Sequence, residues 1–349
     1  MKRKGISVLF MLLFISVFIL GAKGLAQSKE NPKEVSSQMQ NSSAAPYYEK
    51  GRIAFLQFTP EGFQDAIVYF NQAIEADPKY APAYAGLGEV YSFIGFYKLE
   101  VKEDYEEPYN KSYENILKAL KYGANTKETQ RALALNYLHL KRSKVAEVAA
   151  NRALAKDPND AESYYILWAA SGRDPDSPYI VKAIGLDPNL VMAHLDLGKA
   201  YLFKKGNYAR ATEQFKKAVE LADSPQLHNF LGTSLRTQGY LGNSVTEYLK
   251  AIELDPNYAP AYMNLGITYY SMNKYQDSIA QERKAISLNS NNPEPYYHVA
   301  RAYELANSPR EAIENYRIFL KLTSGKEIYT NLTTNAKTSI EKLHASCNC

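Results

Sequence analysis

Small and apolar residues return along this chain at a fixed interval. Gly198, Gly232, Gly266 and Ala300 stand 34 residues apart, each directly after Leu197, Leu231, Leu265 or Val299 and three before Tyr201, Leu235, Tyr269 or Tyr303. A second set follows within each interval: Ala211/Phe215/Ala218, Ser244/Tyr248/Ala251, Ser278/Glu282/Ala285 and Ala312/Tyr316/Phe319. Spacings of three and four place such residues on one helical face. Each interval therefore predicts two amphipathic helices that cross near the small residue, where a minimal side chain lets the backbones approach. Asp-Pro pairs at Asp77-Pro78, Asp157-Pro158, Asp187-Pro188 and Asp255-Pro256 close several intervals. Pro has no N–H to give and pushes its predecessor out of the helical region, so it ends one helix and resets the chain for the next.

The pattern resembles the tetratricopeptide repeat (TPR) family, whose 34-residue unit carries an aromatic residue, Leu-Gly, Tyr, then Ala, Phe, Ala and Pro. Tyr262, Leu265-Gly266 and Tyr269, following Ala251 and Pro256, match it most fully. The resemblance covers about residues 45 to 322. It implies an all-α fold, a right-handed α-solenoid of about eight helix-turn-helix units beginning near 45, 81, 127, 161, 191, 225, 259 and 293.

Departures from the period are expected to shape the repeat. The unit holding Trp168 is short, which predicts a truncated second helix around Ser177 to Gly185. Twelve extra residues fall after Tyr91, between Gly95 and Pro108, as a solvated loop or a segment folded over the edge of the repeat. A smaller insertion lies at Thr59 to Gly62. Beyond Gly325, the stripe Ile328, Leu332, Ala336, Ile340 and Leu343 predicts a helix that caps the last unit and shows water its polar face, with a Cys-containing tail behind it.

The N-terminus departs from all of this. Three basic residues, Lys2, Arg3 and Lys4, precede an apolar run from Ile6 to Leu20, and Gly24-Leu25-Ala26 puts small residues before Gln27. This is the layout of a secretory signal peptide over residues 1–26, or of an uncleaved anchor, and either one predicts export of the rest of the chain. Residues 27–44 are polar and read as a flexible linker. Four of the 41 bases lie in the first 26 residues with no acid, which leaves 37 bases against 37 acids in the remainder. The basic balance belongs to the leader, so nothing in the charge argues for nucleic acid as a partner. Contact with a membrane is expected only through that leader.

Candidate chemistry is sparse. The five His have no Ser, Cys or carboxylate at a spacing that suggests a triad or a metal pair, and His194 and His228 occupy positions where the repeat places a packing aromatic. No phosphate loop, dinucleotide fingerprint or HExxH is present, and repeats consume the chain. No enzyme activity, cofactor or metal is expected. Cys347 and Cys349 can close a small disulfide, join two copies, or form a plain tail.

In the TPR family the first helices line a concave groove, and the resemblance maps groove positions onto this chain. In the first three units they include Tyr48, Arg52, Glu89 and Arg131; further along they include Tyr165, Leu195, Lys199, Asn229, Arg236, Met263, Tyr270, Tyr297 and Arg301. The Lys and Asn clamp by which cytosolic chaperone adaptors of this family hold a C-terminal carboxylate is not formed by Tyr48 with Arg52, Tyr165 with Ala169, or Met263 with Ile267. The expected function is a scaffold for one or more proteins, binding extended or helical segments through apolar anchors in envelope, pilus or secretion assembly. A self-associating structural protein is the alternative, with an enzyme or carbohydrate binder behind it.

Overall fold

The computed structural model describes residues 42–100 and 104–347, and the leader and most of the linker lie outside them. The described residues form seventeen α-helices, with no strand among them. Contacts divide the chain into two compact units, one ending at Ala200 and the other beginning at Tyr201.

The first unit contains α1 (Ala45–Leu56), α2 (Pro60–Ala76), α3 (Ala81–Glu100), α4 (Glu106–Gly123), α5 (Lys127–His139), α6 (Ser143–Leu154), α7 (Ala161–Ala170), α8 (Pro178–Leu186) and α9 (Val191–Ala200). The second begins with a π-helical turn, Tyr201–Lys205, and continues through α10 (Tyr208–Leu221), α11 (Pro225–Thr237), α12 (Leu241–Leu254), α13 (Ala259–Ser271), α14 (Tyr275–Leu288), α15 (Glu294–Leu305), α16 (Pro309–Thr323) and α17 (Thr330–Cys347). First helices begin where the repeat places them, at 45, 81, 127, 161, 191, 225, 259 and 294.

Local chemistry explains the boundaries. Thr59, Thr126, Asp160, Asn207 and Ser224 each accept an N–H from the first turn of the helix they precede, satisfying donors that the helix itself cannot. At the Asp-Pro turns, Asp77, Asp157, Asp187 and Asp255 each accept the N–H two residues on at 2.9–3.0 Å, which folds the chain sharply into the next helix. Three of these turns are tied down again from the following helix. Tyr84 and Tyr262 donate their hydroxyls to the carbonyls of Pro78 and Pro256 at 3.1 Å, and His194 Nε2 sits 3.0 Å from that of Pro188. His194 thus packs in the place of a Tyr, as its position in the repeat predicts.

First and second helices differ in kind. α7 is apolar on nearly every side and is buried from Tyr165 to Ala170, whereas α10 and α16 bury one stripe, such as Ala211, Phe215 and Ala218. A helix buried all round is one that neighbours cover on both sides. Within each unit first helices touch the first helices of adjacent pairs: α3 meets α1 and α5, α5 meets α7, and α13 meets α11 and α15. Second helices pack on their own first helix and on the next one, so the first helices form the inner face of each unit.

The truncated second helix is α8, nine residues long. The insertion after Tyr91 is mostly helix rather than loop: α3 runs on to Glu100 and α4 starts at Glu106. The reason is packing, since Phe93 and Phe96 close on the His139 ring with centroids 4.9 and 4.6 Å away. At the C-terminal end, Leu332, Ala336, Ile340 and Leu343 of α17 cover the cluster of Tyr297, Tyr316 and Phe319, as a cap should. Ile328, expected on that stripe, is 84% exposed, and Tyr329 packs on Phe319 instead. The short turn Glu327–Tyr329 rotates the chain between them.

Candidate functional site

The inner face of the first unit is filled by charge. Arg52 of α1 pairs with Glu89 of α3 and with Glu162 of α7, 110 residues away. Arg131 of α5 reaches Glu89 (2.8 Å), Asp160 (2.9 Å) and Glu162 (3.2 Å). Glu89 is 1% exposed and Arg131 5%. Burial pushes the Glu89 carboxyl above its ordinary range, while the two guanidinium groups beside it pull the other way. At Asp160 burial is outweighed by the charge of Arg131 and the hydroxyl of Ser163, and its carboxyl is held below the usual value. Every charged head in the network has a partner, the condition under which buried charge is tolerated.

A second cluster in the same unit gathers around Asp196 of α9. Tyr165 donates its hydroxyl at 2.9 Å, with Arg173 at 3.4 Å and Lys199 at 3.6 Å. Although burial works to raise the Asp196 carboxyl, Lys199 and Arg173 keep it low. Tyr165 and Leu195, both expected to line the groove, are each 3% exposed, and Lys199 is half-buried.

One pairing in this unit was invisible in the spacing of residues. Ser92 Oγ lies 2.7 Å from His139 Nδ1, a nucleophile and base 47 positions apart. Ser92 is fully buried and His139 nearly so, and burial lowers the imidazole to about 3, so the ring is neutral. Phe93 and Phe96 pack on the His139 ring, and the hydrogen bond to Ser92 satisfies a buried polar group.

The inner face of the second unit is different. Asn264 donates to Asn229 Oδ1 at 2.8 Å, linking α13 to α11. The Arg301 guanidinium lies 4.7 Å above the centroid of Tyr270, and its Nη2 donates to the Tyr270 hydroxyl at 2.9 Å. Arg301 is exposed, and Arg236, Met263, Ile267 and Tyr270 are half-buried. Asn229 is 6% exposed and Tyr297 7%, the latter packed against Phe319 at 5.2 Å and Tyr316 at 5.8 Å. Of the six groove positions predicted in this unit, the structure therefore leaves Arg236, Met263, Tyr270 and Arg301 reachable from solvent, and gives Asn229 and Tyr297 internal partners. Ile267, one turn from both Met263 and Tyr270 on α13, joins them.

His228 is held from two sides, by Glu247 at Nδ1 (2.6 Å) and Asp223 at Nε2 (2.8 Å). Burial opposes protonation here, and the two carboxylates overcome it, raising the imidazole above its ordinary value. Among the described residues no cluster of His, Cys, Asp and Glu could hold a metal ion, and no helix is long and apolar enough to cross a membrane.

Comparison with known proteins agrees with the repeat. Residues 193–225 and 259–292 match the tetratricopeptide repeat model and residues 232–273 a TPR repeat model, so these are TPR repeats. A probable UDP-N-acetylglucosamine–peptide N-acetylglucosaminyltransferase SPINDLY of Hordeum vulgare is 31% identical over 102 residues, 27% of this chain and 11% of that protein. The chain thus spans about a tenth of the length of that relative. The solved Cut9–Hcn1 hetero-tetramer of the APC/C has a similar fold, with a TM-score of 0.65 at 19% identity over 87% of this chain and 58% of the other. PilW, a type IV pilus biogenesis factor, gives 0.53 at 15% identity over 60% of this chain and 98% of its own. The fold is an all-α array of TPR helix pairs, a scaffold typical of protein–protein interaction.

Proposed function

We propose that this protein is an exported, non-catalytic adaptor that holds an extended or helical segment of a partner protein on the inner face of its second unit. The observation that carries the reading is the contrast between the two inner faces. In the first unit the positions open to a partner are taken by Arg52, Glu89 and Arg131, whose charges are spent on one another. In the second, Met263, Ile267 and Tyr270 offer apolar surface beside the cation of Arg301, which Tyr270 holds in place. Rings, Met and Arg of this kind dominate binding energy where a segment docks in a groove. Export rests on the leader at residues 1–26, and the setting proposed is envelope, pilus or secretion assembly.

A photo-crosslinking residue at Tyr270, compared with one at Lys250 on the outer helix α12, tests the assignment in the native host. Capture of a discrete protein from position 270 and not from 250 is expected. Tyr270→Ala with Arg301→Ala should then weaken binding of that purified partner at least tenfold with helicity unchanged. Equal capture from both positions, or undiminished binding by the double variant, overturns the assignment. Export is tested separately by fractionation, and retention in the cytoplasm refutes it without touching the groove.

A further inference from the structure

In the second unit, second helices place one large side chain beneath the small residue of their first helix. Tyr248 of α12 and Tyr316 of α16 take that seat and are 0% and 1% exposed. Gly232 shows how tight the seat is, since a Cβ there would stand 2.7 Å from the Tyr248 ring. In α14 the same seat holds Glu282, 0% exposed, and a Cβ on Gly266 would lie 2.8 Å from its Cγ.

Neither Glu282 oxygen makes a hydrogen bond. His298 Nδ1, from α15, stands 3.3 Å from Oε1 but out of line for one, and has no other partner. Ser278 Oγ, one turn back on α14, is buried without a partner as well. Three side chains on α14 and α15 thus carry unsatisfied polar atoms, and the seat of Glu282 is one that the sister pairs fill with a ring. Orphaned groups of this kind cost folding free energy, and the cost rises steeply when one of them is charged.

The charged groups that act on Glu282 both come from α15. His298 favours the carboxylate, and Glu294 disfavours it. α13, packed on the other side, carries no Asp, Glu, His, Lys or Arg between Ala259 and Ser271, and its titratable groups are the phenols of Tyr262, Tyr269 and Tyr270. On α14 itself, Asp277, Arg283 and Lys284 are exposed.

We propose that Glu282, beside His298, makes the α14–α15 joint proton-dependent: a proton on the Glu282 carboxyl keeps the joint closed, and its loss opens it. Burial raises the Glu282 carboxyl from 4.5 to about 7, against the pull of His298. An acid raised in this way binds its proton more tightly closed than open. Closure is therefore favoured at low pH, declines from about pH 4.5 toward 7, and levels off above. The change reaches the inner face, because Tyr270, Ile286 and Tyr303 pack on Ile279, Val299 and Ala302 across this joint. The joint responds to pH whether or not the inner face binds a partner.

Hydrogen–deuterium exchange of the full chain from pH 5 to 8, corrected for intrinsic base catalysis, tests it on peptides from residues 275–305. Relative to Glu282→Gln, wild-type protection should fall by up to about tenfold per pH unit between pH 5 and 7. Glu282→Tyr, which restores the ring of the sister pairs, should be flat with pH and at least as protected as wild type at pH 7. His298→Gln should move the transition to higher pH. Wild-type curves parallel to those of Glu282→Gln overturn the proposal. So does a Glu282→Tyr protein that keeps the wild-type slope, and this second comparison carries the test if Glu282→Gln folds poorly.

Discussion

The two units use the same helix pair and put opposite things on its inner face. In the first, five charged side chains from α1, α3, α5 and the start of α7 close on one another and leave little to a partner. In the second, Met263 takes the repeat position of Arg131, Ile267 and Arg301 take those of Arg52 and Glu89, and Tyr270 lies one turn beyond Ile267, all half-buried or exposed, with an Asn–Asn hydrogen bond beside them. A TPR backbone alone does not make a binding groove. What decides is whether the side chains facing inward satisfy themselves or wait for something else to do it. Buried ion pairs of this kind add little net stability over apolar packing, but they are severe on any change that removes one partner.

That contrast predicts unequal responses to similar substitutions. Arg131→Met takes the guanidinium from Asp160 and leaves Arg52 alone against Glu89 and Glu162 in a buried site, and should cost about 3–5 kcal/mol in urea unfolding. A loss below ~1 kcal/mol would show that the network is not closed as described. Next comes the seat of the repeat in the second unit. Gly232→Ala drives a methyl group into the Tyr248 ring and should cost about 1–3 kcal/mol, whereas Ala at Gly242, with nothing within 4 Å, should be nearly silent.

His228 supplies a smaller, pH-dependent effect. Because its folded value is raised, its stabilisation is fully present below the unfolded value near 6.5 and is lost as pH rises through the folded one. His228→Gln should remove a contribution of about 1 kcal/mol at pH 6 and much less at pH 9, measured as the difference in urea midpoint. Stability of the variant tracking wild type at both pH values would dismiss the clamp. Smallest of all, Arg301→Met on the open face should shift stability by no more than ~0.5 kcal/mol, and a loss as large as that of Arg131→Met would erase the distinction between the units.

Much of this architecture was legible in the residues themselves. The interval of 34, the Asp-Pro turns and the capping Ser, Thr, Asp and Asn place the helices, because each depends on contacts within a few positions. The short α8 and the capping α17 were legible for the same reason. The insertion after Tyr91 was not, since its helical form depends on Phe93 and Phe96 finding His139, over 40 positions away. The candidate site divided along the same line. Arg236, Met263, Tyr270 and Arg301 stand accessible on first helices as the repeat implies, while Tyr165, Leu195, Asn229 and Tyr297 are claimed by internal packing or hydrogen bonds.

By itself, then, the amino-acid sequence determined an all-α chain of TPR helix pairs, the starts of its first helices, and the odd acid at position 282 in a row of rings. Periodicity carries that much because helix formation and pairing are local. Only the tertiary structure decided that Arg52 meets Glu162, that Ser92 is sealed against His139, and that Glu282 lies buried beside His298. Those outcomes depend on which distant side chains share a low-dielectric interior. There a charge must find a partner or give up its proton, and no spacing along the chain encodes which of the two occurs.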